Sequence, residues 1–139
     1  MNKTKMQNAE TPLKQVKPKG RILVIEDNRD AADSLKLILE GFGYAVEVTY
    51  SGKTGLRTAL ATKPNLVLCD IGLPDLDGFE LVRELRHSEI TRDIPVLALT
   101  AYGPEARDMA FASGFTGHLI KPVDPQLMRS ILAGFDLES

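Results

Sequence analysis

Leu66-Val67-Leu68-Cys69-Asp70-Ile71-Gly72-Leu73-Pro74-Asp75-Leu76-Asp77-Gly78 is the stretch whose reading decides the fold. Four apolar residues without polar interruption suit a strand buried on both faces, as strands of a parallel sheet are. Asp70 stops the run, and Gly72 and Pro74 mark a turn. Asp77 stands where a helix N-cap belongs, with Gly78 in the first turn and Phe79, Val82 and Leu85 on one face of a helix reaching residue 87. The stretch therefore reads strand, loop, helix, with an acid at the carboxyl end of the strand. Taken alone, Asp70 has a plain alternative as a turn residue.

The same alternation extends in both directions. Upstream, residues 22–25 form a buried apolar run. A helix follows over 28–41, with Ala31, Leu35 and Ile38 at helical spacing and Gly41 and Gly43 as stop signals. Residues 44–49 alternate as a strand, and Ser51 caps a helix to about residue 62. Downstream, 96–99 is a third buried run, 104–113 a helix, 118–120 a strand, and 124–133 a closing helix with Pro125 in its first turn. Five strands alternating with five helices imply an α/β fold, a doubly wound parallel sheet covered by helices on both faces. Residues 1–19 are polar, lack periodicity and contain Pro12 and Pro18, and are read as a disordered basic leader or linker before a domain over 20–137.

Bulk composition narrows the function classes. The 139 residues suffice for one core, and 43% hydrophobic with 26% charged residues is ordinary for a soluble domain. No apolar run is long enough to span a membrane, so no membrane partner is expected. Cys69 is the only cysteine, which excludes an intrachain disulfide and suits a cytoplasmic location. The first twenty residues carry a balance of +4 and the remainder −6, so the domain is a poor unaided binder of nucleic acid.

In a parallel sheet the ligand sits beyond the carboxyl ends of the strands. Those positions hold Glu26 and Asp27 after the first strand, Asp70 after the third, Thr100 after the fourth and Lys121-Pro122 after the fifth. Each is commonplace singly: an acidic pair can be a helix cap, Thr100 a strand-end residue, Lys-Pro a loop. Together they make a site. Three converging carboxylates need a cation, and a hard oxygen-seeking ion such as Mg²⁺ fits. Asp70 could then act as nucleophile toward a phosphoryl group, with Thr100 and Lys121 stabilising its oxygens.

Four segments carry a family resemblance: Leu23-Val24-Ile25-Glu26-Asp27-Asn28, the stretch from Leu68 through Asp70 to Leu81, Ile94-Pro95-Val96-Leu97-Ala98-Leu99-Thr100-Ala101, and Leu119-Ile120-Lys121-Pro122. In order and spacing they resemble response-regulator receiver domains of two-component signalling, over about residues 20–135. The resemblance implies a flavodoxin-like receiver fold with strand order 2-1-3-4-5. It implies Asp70 as phosphoacceptor, and Mg²⁺ held by Asp27, by Glu26 through water, by Asp70 and by the Gly72 carbonyl. It also implies Thr100 and Lys121 on the phosphoryl group and a cis Lys121-Pro122 bond. A sensor histidine kinase or histidine phosphotransfer protein would be the donor and an unidentified protein the downstream partner. Such a chain is a signalling switch and not an enzyme with an external substrate, either stand-alone or a hybrid-kinase receiver.

Two positions depart from the family pattern. His118 stands where Tyr or Phe is usual, three residues before Lys121, and is either a half-buried strand residue or a polar switch residue coupled to Thr100. Gly72 has no side chain to shield a phosphoryl group, whereas Tyr102 could cover the site. Gly72 also weighs against an aspartate-nucleophile phosphohydrolase, which needs an acid at that position. A flavin carrier of the same topology would need a Ser/Thr/Gly-rich phosphate loop where Glu26 and Asp27 stand, and a pure docking module would not need the full polar set. The output surface is expected on the helix at 104–113, the His118 strand and the last helix.

Overall fold

Burial on both faces accounts for the uninterrupted apolar runs. In a computed structural model, which describes residues 17–101 and 104–137, the strands are β1 (Arg21–Ile25), β2 (Ala45–Thr49), β3 (Leu66–Asp70), β4 (Val96–Thr100) and β5 (Gly117–Ile120). They form one parallel sheet in the order β2-β1-β3-β4-β5, and β1, β3 and β4 are the strands paired on both edges. These three carry the runs read as doubly buried. The edge strand β2 alternates: Val46 and Val48 pack inward while Glu47 is exposed.

The helices are α1 (Arg29–Gly41), α2 (Gly52–Thr62), α3 (Gly78–His87), α4 (Pro104–Ser113) and α5 (Pro125–Ala133). Alternate strand residues feed two cores. Ile22, Val24, Leu66, Leu68, Leu97 and Leu99 pack with Leu35 and Leu39 of α1 and Met128 and Leu132 of α5. Leu23, Ile25, Val67, Cys69, Val96 and Ala98 pack with Ala59 of α2, Leu81, Val82 and Leu85 of α3 and Ala110 of α4. Each Val, Leu, Ile or Met side chain fully buried this way contributes roughly 1.5–3 kcal/mol, which fixes the strand register and therefore what stands at the strand ends.

Helix starts follow the sequence signals within a residue. Asn28, Ser51, Asp77 and Asp124 are N-caps, accepting from the N–H groups of Ala31, Thr54, Glu80 and Gln126 at 2.9–3.2 Å. Ser51 and Asp77 are the caps read from sequence, whereas Asn28 and Asp124 sit just outside helices that the sequence reading began at 28 and 124. The strands β3 and β4 run one residue further than read, so Asp70 and Thr100 are the last residues of their strands; ladder bonds Ile71 N to Leu99 O and Lys121 N to Thr100 O continue past them. Lys121-Pro122 is cis, as expected. The leader expected over 1–19 lies mostly outside the described residues.

Candidate functional site

The sheet order puts β1 beside β3, where the chain, having wound one way to β2, turns back the other way. In open parallel sheets a crevice opens at such a reversal beyond the carboxyl ends. Glu26 and Asp27 follow β1, Asp70 ends β3, and the register pairs Ile25 with Cys69 and Asp70 with Leu99. One carboxylate oxygen from each of Glu26, Asp27 and Asp70 lies within 4.8 Å of the others. Across β4, Thr100 pairs with Ile120, bringing Lys121 to the same edge. The structure thus brings together four of the residues read from sequence, with Thr100, 2% exposed, closing β4 beside them.

Lys121 Nζ donates to Glu26 Oε1 at 2.6 Å and lies 3.4 Å from Asp70 Oδ1. Glu26 is 1% exposed and its other oxygen accepts from the Asn28 N–H at 3.1 Å. Burial pushes the Glu26 carboxyl up; the Lys121 and Asn28 hydrogen bonds pull against it without restoring the ordinary value. Partial burial works against the Lys121 ammonium, but Glu26 and the Asp70 charge outweigh it, leaving its pKa raised. One ammonium therefore serves a cluster of three carboxylates and reaches two of them, Glu26 and Asp70, so the site is short of positive charge.

Asp70 is held from a second side. The Gly72 N–H donates to Asp70 Oδ1 at 3.1 Å, which fixes the carboxylate's orientation at the mouth of the crevice. Gly72 itself is exposed, and a Cβ there would approach nothing nearer than Asp70 Oδ1 at 4.0 Å. The loop after Asp70 is closed by the Gly78 N–H on the Ile71 carbonyl at 2.9 Å.

Neighbouring acids lie apart from the cluster. Asp77 caps α3, and Asp75 accepts from Gly52 N and Lys53 N at the start of α2. The sequence marked Asp75 only as a loop residue, since a latched and a solvated aspartate look alike in one chain. Cys69 is fully buried and its thiol pKa is pushed up, above all by desolvation, as a core residue's should be. His118 is half-buried on β5 and meets the Phe111 ring edge-to-face at 6.5 Å between centroids. Tyr102, the residue expected to cover the site, lies outside the described residues. His87 is exposed at the end of α3, its Nδ1 2.7 Å from the Arg83 carbonyl.

Residues 22–133 match the response regulator receiver domain family. The chain is 39% identical over 112 residues to an uncharacterized 14.6 kDa protein of Leptolyngbya boryana, covering 79% of this chain and 86% of that one. It is 39% identical over 109 residues to the DNA-binding dual master transcriptional regulator RpaA of Synechocystis, covering 78% of this chain and 45% of the regulator, so it spans less than half that protein's length. Among solved structures, it superposes on the receiver domain of the sensor histidine kinase PA1611 of Pseudomonas aeruginosa, which holds a magnesium ion in its active-site cleft. The TM-score is 0.78 at 31% identity, covering 83% of this chain and 95% of that one. No helix among the described residues is long and apolar enough to cross a membrane. The likeness runs from the first buried strand into the last helix and includes the strand order, so the chain belongs to the response regulator receiver domains of two-component signalling.

Proposed function

We propose that this receiver takes a phosphoryl group onto Asp70 from a phosphohistidine donor and thereby alters its partner-binding face. The observation that carries the reading is the convergence of Glu26, Asp27 and Asp70 within 4.8 Å with the Lys121 ammonium beside Asp70. The donor set is all oxygen, carboxylates without thiolate or imidazole, and it has excess negative charge. That chemistry fits Mg²⁺, with Asp27, Asp70 and the Gly72 carbonyl as ligands and Glu26 acting through water. When bound, the ion supplies charge neutralisation for the cluster and the incoming phosphoryl oxygens.

The chain's own residues supply the rest. Asp70 Oδ attacks phosphorus; the P–N bond of the donor breaks and its electron pair returns to the imidazole. Lys121, whose raised pKa keeps it charged, neutralises one phosphoryl oxygen, and the Thr100 hydroxyl donates to another. The protein acts on itself alone, so it is a switch and not an enzyme with an external substrate. Met109, Phe111, Ile120 and Leu127 are each at least half exposed and lie on α4, β5 and α5, and a groove of about 400 Å³ runs along His118, Ile120 and Leu127. This supports output through a protein partner at that face; in the proposal Thr100 and His118 are the relay to it.

The test is direct. Incubation with Mg²⁺ and acetyl phosphate is expected to add the mass of one phosphoryl group, lost on treatment with hydroxylamine and absent when a chelator replaces Mg²⁺. An unmodified chain under these conditions overturns the reading. Lys121→Met is expected to slow uptake about 10²–10³-fold, the scale of losing one preorganised charge in a transition state. The same variant should bind Mg²⁺ at least as tightly as the parent, because the competing cation on Glu26 is gone; calorimetric titration checks this.

A further inference from the structure

We infer that Asp75 is a positioning residue of the phosphoacceptor site, holding the loop whose Gly72 N–H orients the Asp70 carboxylate. The inference rests on the reading of Asp70 as phosphoacceptor and deepens it.

The first N–H groups of a helix have no intrahelical partner. At α2, Ser51 takes the N–H of Thr54, and Asp75 takes the two before it: Oδ1 from Gly52 N at 2.8 Å and Oδ2 from Lys53 N at 2.9 Å. Both carboxylate oxygens are thus used on an element more than twenty residues away in sequence. The Lys53 bond leads in holding the Asp75 carboxyl below the usual range, so it stays ionised at neutral pH, where the helix dipole favours it. The contact is close by necessity. A Cβ at residue 52 would lie 2.6 Å from the Leu76 carbonyl oxygen and 3.2 Å from Asp75 Oδ1, so only glycine lets the loop approach.

The loop from 71 to 77 thereby gains a fixed point in its middle. Its ends are fixed already, by β3 and by the Gly78–Ile71 bond. Gly72 has no side chain to anchor it and is exposed, so its N–H is aimed at Asp70 by its neighbours alone. Ile71 and Leu73 anchor it through burial, and Asp75 fixes the turn that follows Leu73. Releasing that turn loosens Gly72, whose N–H serves Asp70 and whose carbonyl would be the loop's ligand to the proposed ion. Asp75 touches no reacting atom; it acts through the loop, as outer-shell groups do at metal sites.

The experiment uses the full chain, with Asp75→Ala, Asp75→Asn and Ser51→Ala compared. Ser51→Ala removes a cap from the same helix end without touching the loop. Both alanine variants are expected to unfold at lower temperature. Only Asp75→Ala is expected to raise the Mg²⁺ dissociation constant about tenfold, to slow phosphorylation by acetyl phosphate at subsaturating Mg²⁺, and to shift the Gly72 amide resonance. Asp75→Asn, which keeps one acceptor oxygen, should fall between and carries the comparison if the alanine variant does not fold. Parental Mg²⁺ affinity and uptake in Asp75→Ala, with only the melting temperature lowered, make Asp75 a helix cap and overturn the proposal. A parent chain that neither binds Mg²⁺ nor takes the phosphoryl group overturns the Asp70 reading and this inference with it.

Discussion

Asp70→Asn is expected to take up no phosphoryl group from acetyl phosphate and, without magnesium, to unfold a few degrees above the parent chain. The first half follows from chemistry: an amide oxygen has neither the charge nor the nucleophilicity to form the acyl phosphate. The second follows from electrostatics. Asparagine keeps the shape of aspartate, and its carbonyl can still accept the Gly72 N–H that Asp70 Oδ1 accepts at 3.1 Å. What disappears is one of three negative charges crowded within 4.8 Å. The single ammonium is already committed at 2.6 Å to Glu26, and its approach to Asp70 is longer, 3.4 Å. Two carboxylates at that separation repel by about 1 kcal/mol in water-like surroundings and more where screening is poorer. Asp27 is exposed and Lys121 gives part of the energy back, so a net gain of about 1 kcal/mol is expected. Magnesium should reverse the order, stabilising the parent through a ligand the variant lacks. Intact mass and thermal unfolding with and without Mg²⁺ read both halves. Uptake by the variant would place the acceptor elsewhere. A lower melting temperature in chelator would mean that the Lys121 attraction, not the carboxylate repulsion, governs the cluster.

The architecture was legible in the sequence because burial on two faces leaves a mark that a one-sided strand does not. Residues 22–25, 66–69 and 96–99 are uninterrupted because each strand feeds a core above and below the sheet. Once the strands are parallel, the polar residues ending them must share one edge, so Glu26, Asp27, Asp70, Thr100 and Lys121 could be grouped without coordinates. The caps were legible for a local reason: an N-cap satisfies its helix within three residues, as Asn28 and Asp77 do. Contacts between distant segments were not. Lys121 prefers Glu26 to Asp70 by 0.8 Å, a choice set by side-chain reach across strands 95 residues apart in sequence. Nothing in the sequence singles out Arg86, yet its guanidinium donates to the carbonyls of Gly114, Arg92 and Ile94, tying α3 to two loops. Asp75 belongs to the same class: one more acid in a polar loop until the fold sets α2 against it.

Gly78→Ala is expected to lower stability by about 2–3 kcal/mol and to slow phosphoryl uptake at least tenfold, although alanine is the better helix former. Intrinsic propensity favours alanine over glycine by about 1 kcal/mol within a helix, and Gly78 does not adopt a left-handed φ that would demand glycine. Space decides the sign. A Cβ at residue 78 would lie 2.7 Å from Ile71 Cα and 2.8 Å from the Asp70 carbonyl oxygen. These are backbone atoms, which cannot rotate away as the tip of a side chain can, and overpacking of this kind typically costs about 1–3 kcal/mol. The Gly78 N–H also holds the Ile71 carbonyl at 2.9 Å, so withdrawing α3 to make room breaks the bond that closes the loop. Either adjustment moves residues 70–72, and with them the carboxylate and the N–H that aims it. Gly41→Ala is the matching control, because a Cβ there meets nothing within 4 Å. It should be neutral or stabilise by up to about 1 kcal/mol and leave uptake unchanged. Denaturant unfolding and the acetyl phosphate rate of the two variants separate the cases. A Gly78→Ala chain as stable and as fast as the parent would show that the loop yields without cost, and that Asp70 does not depend on the close approach of α3.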